Sequence, residues 1–170
     1  MTMFEETSDL EYGEVTSFLN EVFGIKLDKV CRIYARIRGI DREYYITCSE
    51  LSDLINDLNI ANVRIQKIGI KILVLRKDMF IPTSSLAQLY GDKACRNIVE
   101  AIDRGRLEYL MKHGYIGGFE GFKEYNSTDY PFKILKYCGY SIGIVKRAGY
   151  GYISLLPTKF SEVRLIPTRV

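Results

Sequence analysis

Residues 137–147 read YCGYSIGIVKR, and residues 149–159 read GYGYISLLPTK. Both stretches are rich in β-branched and aromatic residues, and glycine–tyrosine pairs stand where the chain would turn. This pattern predicts a compact antiparallel β-meander with two basic residues, Lys146 and Arg147, at its edge. Cations in that position are suited to contact phosphate groups.

Charge is distributed unevenly along the chain, although a net charge of +3 over 170 residues is ordinary. From Pro131 to Val170 there are seven basic residues and one acidic residue, whereas residues 1–24 contain six acidic residues and no Lys or Arg. Cations neutralise phosphates with release of counterions, and interleaved tyrosines stack on unpaired bases. The basic segment therefore fits nucleic acid. A solvated strand face, whose lysines only keep the sheet soluble, is the alternative explanation.

Length and hydropathy limit the class of protein. A chain of 170 residues that is 47% hydrophobic can build one good core or two small ones. No apolar run approaches the ~20 residues of a membrane span, and the acidic start lacks the features of a signal peptide. We therefore expect a cytoplasmic protein without a membrane partner. The four cysteines form no C-x-x-C pair, which predicts buried thiols and neither a zinc site nor a redox motif.

The N-terminal part predicts a small α/β module. Apolar residues at helical spacing precede Gly24, a natural helix stop, and a strictly alternating stretch precedes the turn at Gly39. The expected elements are a helix over 14–23, strands over 29–38 and 43–47, a short helix ending at 58, and a strand over 61–68.

The remainder predicts a small β-barrel that carries one or two helices. The expected elements are a strand over 70–77, a helix capped by a Ser or Thr within 83–85, a long helix over 92–112 bent around Gly105, a turn at 126–131, and the meander. The composition shift near residues 62–69 predicts two domains, 1–65 and 66–170. The predicted fold class is α+β.

Several motifs after Gly69 form a distinctive set. They are the basic pair Arg76-Lys77 at a strand end, FIPTSS (80–85), EYL (108–110), GYSIG followed by KR (139–147), GYG (149–151) and LLPTKF (155–160). Together they resemble a PUA-like RNA-binding domain, most closely the one at the C-terminus of the RNA cytosine-5 methyltransferases that act on small-subunit rRNA. The preceding helix, hairpin and short helix are loosely similar in order to the N-terminal region of Nip7-type ribosome-biogenesis proteins.

This resemblance implies a non-catalytic protein that binds structured rRNA or tRNA in RNA modification or ribosome biogenesis. An RNA methyltransferase or a pre-ribosomal particle is an expected further partner. Lys146 and Arg147 would contact phosphates, and the tyrosines would stack or touch sugars, unless each is a half-buried barrel residue with its hydroxyl at the rim. The expected RNA-binding residues are Arg76, Lys77, Lys136, Gly139, Tyr140, Gly143, Lys146, Arg147, Tyr150, Tyr152 and Lys159.

Catalysis is not expected, and neither is a cofactor or a metal. Residues 47–49 (TCS) are similar to the tripeptide around the nucleophile of those methyltransferases, but no Pro-Cys partner and no glycine-rich turn for S-adenosylmethionine accompany them. Cys48 is interpreted as a core thiol at a strand end. His113, the only histidine, lies at a predicted helix end, where a cation stabilises the helix dipole.

Two other functions remain open. The acidic N-terminal helix could dock on a partner, such as a methyltransferase without its own PUA domain, which would make the protein an interaction adaptor. Alternatively, the chain is a small enzyme whose site the sequence does not reveal.

Overall fold

The computed structural model describes residues 4–61 and 65–156 as a mixed α+β protein with two sheets. The first sheet has the order β1-β2-β3-β4-β5, and each neighbouring pair is antiparallel. Its strands are β1 (Phe4–Glu6), β2 (Arg32–Arg38), β3 (Asp41–Thr47), β4 (Ile70–Arg76) and β5 (Met79–Pro82). The predicted hairpin of β2 and β3 and the predicted strand β4 are confirmed.

The second sheet has the order β7-β11-β10-β9-β6-β8 and contains one parallel pair, β6 with β9. Its strands are β6 (Ile98–Ala101), β7 (Tyr115–Gly117), β8 (Phe122–Tyr125), β9 (Phe132–Tyr137), β10 (Tyr140–Ala148) and β11 (Gly151–Ser154). The predicted meander is β9-β10-β11. Its first turn is tight because Cys138 and Gly139 both have positive φ, 49° and 81°, as a two-residue hairpin turn requires.

Four α-helices connect the strands: α1 (Asp9–Phe18), α2 (Ser52–Ile60), α3 (Ser84–Tyr90) and α4 (Arg104–His113). α1 begins after the Ser8 cap, five residues before the predicted start, continues as a π-helical turn over Leu19–Phe23, and ends at Gly24 as expected. The side chain of Thr83 caps α3, as predicted, by accepting a hydrogen bond from the Leu86 amide.

One predicted element was wrong, and a second is not seen in the part of its range that the structure describes. The helix expected over 92–112 is helical only from Arg104, because Ile98–Ala101 forms β6 between β9 and β8, and Asp103 then caps α4 by accepting from the Arg106 amide. Tertiary pairing here overrides the local helical pattern. The strand expected over 61–68 is also absent from the residues that the structure describes there, since residues 65–68 have no regular structure.

The second sheet lies between two apolar cores. On one face, Phe132, Ile134 and Ile144 pack with residues of the first sheet, α1 and α3, whereas on the other face Leu135, Val145 and Tyr152 pack under α4. The predicted domain boundary at residues 65 and 66 lies between β3 and β4, which pair directly. The first sheet and the first core therefore extend across that boundary.

The expectation that all four thiols are buried holds only for Cys31. Cys48, Cys95 and Cys138 are exposed. Cys48 follows the last residue of β3, and Cys138 lies in the tight β9–β10 turn, so neither position faces a core. The neighbouring Cys31 thiol raises the pKa of Cys48, which keeps the Cys48 thiol protonated rather than activated.

Candidate functional site

The predicted RNA-binding residues lie in three separate places. Strand β10 has nine residues, so Tyr140 at its start and Tyr150 in the turn after its end are roughly 25–30 Å apart. The two rings therefore cannot contact the same nucleotide. The first place is the β9–β10 turn, with Lys136, Gly139 and Tyr140, and the second is the other end of β10, with Lys146, Arg147 and Tyr150. The third is the first sheet, with Arg76 and Lys77. Lys159 is outside the described residues.

Lys146 and Arg147 lie on opposite faces of β10, because successive side chains of a strand alternate. The Lys146 ammonium is 5.9 Å from the ring centroid of Phe132. On the other face, the Arg147 guanidinium carbon is 4.8 Å from the ring centroid of Phe119, and Nη1 is 3.4 Å from a carboxylate oxygen of Glu124. The basic pair of the sequence is thus two separate cations, and each rests on an aromatic ring.

Glu124 reduces the positive charge at Arg147. Burial raises the pKa of its carboxyl, but hydrogen bonds from Ser127 and Tyr152 and the charges of Arg147 and Lys133 outweigh burial, so the pKa lies below its usual value. The carboxylate is therefore ionised at neutral pH, and it competes with any phosphate for Arg147.

Tyr152 is a core residue, which corrects its prediction as a stacking side chain. It is 1% exposed, its ring lies 5.3 Å from the rings of both Phe119 and Phe122, and its hydroxyl donates a 2.5 Å hydrogen bond to Glu124. Burial and the hydrogen bond to Glu124 raise the pKa of its hydroxyl. Tyr150 lies outside the strand, in the turn that precedes β11, and is 86% exposed.

Gly143 serves packing within the protein. A Cβ atom at this position would lie 2.6 Å from Cδ2 of Leu156 and 3.1 Å from Oγ of Ser84, so only glycine fits without displacing them. Gly139, in contrast, has open space around it and is required by the turn.

Tyr115, which the sequence analysis missed, joins the candidate surface. It is directly opposite Ile153, which is directly opposite Lys146, so the three side chains lie on one face of strands β7, β11 and β10. Tyr115 and Ile153 are 49% and 37% exposed. Neighbouring strands are about 4.8 Å apart, so this Tyr115–Ile153–Lys146 strip spans about 10 Å. The sequence signal that could have revealed Tyr115 is its position directly after Gly114, the glycine that ends α4.

Arg76 is committed to an ion pair within the first sheet. Its Nε and Nη2 atoms donate to the two carboxylate oxygens of Asp41 at 2.7 Å and 2.5 Å. These hydrogen bonds hold the pKa of Asp41 below its usual value. Lys77, in the turn after β4, is exposed and has positive φ. Of the basic pair at the end of β4, Arg76 is therefore neutralised by Asp41, whereas Lys77 is available to a ligand.

A second basic surface, also missed by the sequence analysis, is a cleft of about 570 Å³ between the first sheet and the start of α3. We call it the basic cleft. Its cationic lining residues are Arg36, Arg38, Lys67 and Lys71. The sequence could not reveal it, because these residues come from β2, β4 and the segment before β4 and are assembled by strand pairing.

Glu43 anchors the side of the basic cleft formed by the first sheet. Its side chain is 5% exposed and accepts hydrogen bonds from Arg36 at 2.6 Å, the Tyr45 hydroxyl at 2.7 Å and Lys71 at 3.0 Å. Burial raises the pKa of Glu43, but these three hydrogen bonds outweigh burial and lower the pKa to about 2. Burial and the hydrogen bond to Glu43 raise the pKa of Tyr45 to about 12.

Among residues 4–61 and 65–156, no group of three or more His, Cys, Asp or Glu side chains could hold a metal ion. None of the helices in this part of the chain is both long and apolar enough to cross a membrane.

No protein-family model matches the chain, and no curated protein is similar enough to count as a relative.

Proposed function

We propose that this protein binds RNA without catalysing a reaction, and that the Tyr115–Ile153–Lys146 strip, together with Tyr150 of the β10–β11 turn, forms its RNA surface. The observation that carries the proposal is the strip itself. An exposed aromatic ring, an exposed aliphatic side chain and a cation share one face of three adjacent strands. This combination suits unpaired nucleotides, whose bases stack on the aromatic ring while their phosphates meet the cation.

The charge of the surrounding sequence supports this function. Residues 131–156 contain four basic residues and no Asp or Glu. One of the four, Lys133, is buried and donates to the side-chain oxygen of Asn97 at 2.8 Å. Of the other three, Lys146 belongs to the strip, Arg147 lies on the opposite face of β10, and Lys136 lies near the β9–β10 turn. The resemblance to PUA-like domains favours structured rRNA or tRNA as the ligand, in RNA modification or ribosome biogenesis within the cytoplasm.

A protein-interaction adaptor is the second candidate, and α1 carries the observation that favours it. Leu10 is an exposed apolar residue between the exposed acidic residues Asp9 and Glu14. Glu11, on the same helix, is not available to a partner, since it accepts hydrogen bonds from Arg42 and Tyr44. A methyltransferase or a pre-ribosomal particle with a basic surface would fit this helix.

The RNA function is tested by fluorescence anisotropy with labelled stem–loop RNA and with fully paired RNA at several salt concentrations. We expect tighter binding to the stem–loop, a steep salt dependence, and weaker stem–loop binding by Tyr115→Ala. Tyr109→Ala is the matched control, because Tyr109 is an exposed tyrosine on α4, which covers the other face of the second sheet. Equal effects of the two variants, or no RNA binding by the wild type, would exclude this surface.

A further inference from the structure

The basic cleft contains two cations that hydrogen bonds hold in place and two that make no hydrogen bond to a described residue. Arg36 donates to Glu43, to the Tyr45 hydroxyl and to the Gln66 carbonyl oxygen, and Lys71 donates to Glu43. Arg38, in contrast, is 72% exposed and only reaches 4.0 Å from Glu43. Lys67 is exposed and has no hydrogen bond or ion pair to any residue that the structure describes. A ligand can therefore recruit Arg38 and Lys67 without breaking the fold.

The charge of the basic cleft selects an anion. Four cations and one carboxylate leave a surplus of three positive charges, and that carboxylate is covered by its three hydrogen-bond donors. The pKa of Glu43 lies far below neutral pH, so protonation does not change this balance under physiological conditions. Field lines concentrate in a concave site lined by one sign of charge, which strengthens anion binding.

The uncharged lining residues of the cleft indicate what kind of ligand bears the anionic group. Ser85 lines the cleft, and its hydroxyl has no hydrogen-bond partner in the described part of the chain, so it is available to donate to an oxygen of the ligand. Ile70, Pro82 and Leu155 add apolar surface. The volume of about 570 Å³ is in the range of small-molecule sites and exceeds what a bare anion needs.

We propose that the basic cleft binds the terminal phosphate group of a nucleotide. Arg38 and Lys67 contact the phosphate oxygens, Ser85 donates a hydrogen bond, and the nucleoside lies against Ile70 and Leu155. A terminal phosphate carries more charge than a bridging one and offers three oxygens, which matches a site with several converging donors.

The phosphate has two possible sources, a free nucleotide or an RNA end. The basic cleft and the strip are on the same face of the second sheet, because Leu155, which lines the cleft, follows Ile153 by two residues. The Leu155 amide continues the strand pairing by donating a hydrogen bond to the Ile144 carbonyl oxygen. Two strand residues span about 7 Å, so RNA lying on the strip could deliver its terminal phosphate to the cleft. Only this second source rests on the proposed RNA function.

The test compares ligands that differ only in the phosphate. Isothermal titration measures adenosine monophosphate against adenosine, and anisotropy measures one single-stranded RNA with a 5′-phosphate against the same RNA with a 5′-hydroxyl. We expect the phosphate to improve binding about tenfold, as charge-assisted hydrogen bonds do, in at least one pair. Preference in the first pair alone identifies a free nucleotide, and preference in the second identifies an RNA end.

Variants locate the effect. Arg38→Gln combined with Lys67→Gln should abolish the preference for the phosphorylated ligand, whereas Lys112→Gln, at an exposed position on α4, should retain it. The proposal is overturned if neither pair shows a preference, or if the preference persists in the double variant. If neither RNA binds, the RNA function fails, but the adenosine monophosphate titration still decides whether the cleft binds phosphate.

Discussion

Lys146 and Arg147 are adjacent in the sequence but contact rings on opposite faces of β10, Lys146 near Phe132 and Arg147 over Phe119. This geometry separates two cations that the sequence presents as a pair. Lys146 belongs to the strip, whereas Arg147 lies beside Glu124, which partly neutralises it. The two residues should therefore contribute differently to RNA binding.

Alanine variants measure that difference. If the strip is the RNA surface, Lys146→Ala should lower the slope of log affinity against log salt by about 0.7, the value for one phosphate contact of a single strand. Arg147→Ala should lower the slope by less, since Glu124 already offsets its charge. The measurement is a salt titration by anisotropy with Lys112→Ala as the control. Wild-type slopes in both variants would mean that these residues form only a solvated strand face.

If RNA also contacts Arg147, Glu124→Gln should strengthen RNA binding. The glutamine carbonyl oxygen can still accept from Tyr152, whereas its NH2 group replaces the oxygen that accepts from Ser127 and pairs with Arg147, so the negative charge beside Arg147 is removed. Partly exposed ion pairs contribute up to about 1 kcal/mol, so we expect an increase in affinity of up to about fivefold at low salt. The increase should shrink at high salt, where the charge is screened. An unchanged affinity at low salt would show that Arg147 does not contact RNA.

Replacement by alanine should affect fold stability at Tyr152 and RNA affinity at Tyr150. Tyr152→Ala removes a buried ring and should destabilise the fold by about 3–5 kcal/mol. Tyr150→Ala should leave the free energy of unfolding nearly unchanged and weaken binding of unpaired RNA by about 1–3 kcal/mol, if its exposed ring stacks on a base. Chemical denaturation and anisotropy on the same preparations separate the two effects. Normal RNA binding by Tyr150→Ala would remove this ring from the proposed surface.

The sequence predicted the second sheet better than the site on it. Glycine-containing turns on both sides of β10 marked the meander, because they require backbone conformations that few other residues adopt. The opposite orientations of Lys146 and Arg147, and the burial of Tyr152, follow from strand alternation once the strands are known. The prediction that Lys146 and Arg147 form one basic edge did not take this alternation into account.

The remaining features depend on contacts between distant parts of the chain. β6 is short, and it is a strand because β9 and β8 flank it, which local propensity cannot show. The basic cleft is assembled by the pairing of β2, β3 and β4, and Ser85 reaches it from α3. Such sites require register and packing, and neither is encoded in a local pattern.

Glu43 should make the fold sensitive to acid. The pKa of its carboxyl falls from 4.5 to about 2 in the folded protein, so its stabilising effect is complete above pH 4.5 and is lost as the pH falls toward 2. A shift of this size corresponds to about 3 kcal/mol. The stability gap between the wild type and Glu43→Gln should therefore be largest at neutral pH and close across this range, as measured by denaturation at each pH. A stability gap that does not depend on pH would contradict this prediction. Glu50→Gln, at an exposed position, is the control variant.

A fragment of residues 66–170 should not fold alone, although the sequence predicts a domain boundary there. It would lack β3, which pairs with β4 from Arg42, opposite Leu75, to Ile46, opposite Ile70. It would also lack Val15, Leu19 and Phe23, which fill the core beneath the second sheet. Exposing that apolar surface removes more stability than a small domain has in reserve. We expect circular dichroism and denaturant titration to show no cooperative transition in the fragment, whereas the full chain unfolds in one. A fragment with a sharp transition would show that the second sheet and α4 suffice for a core.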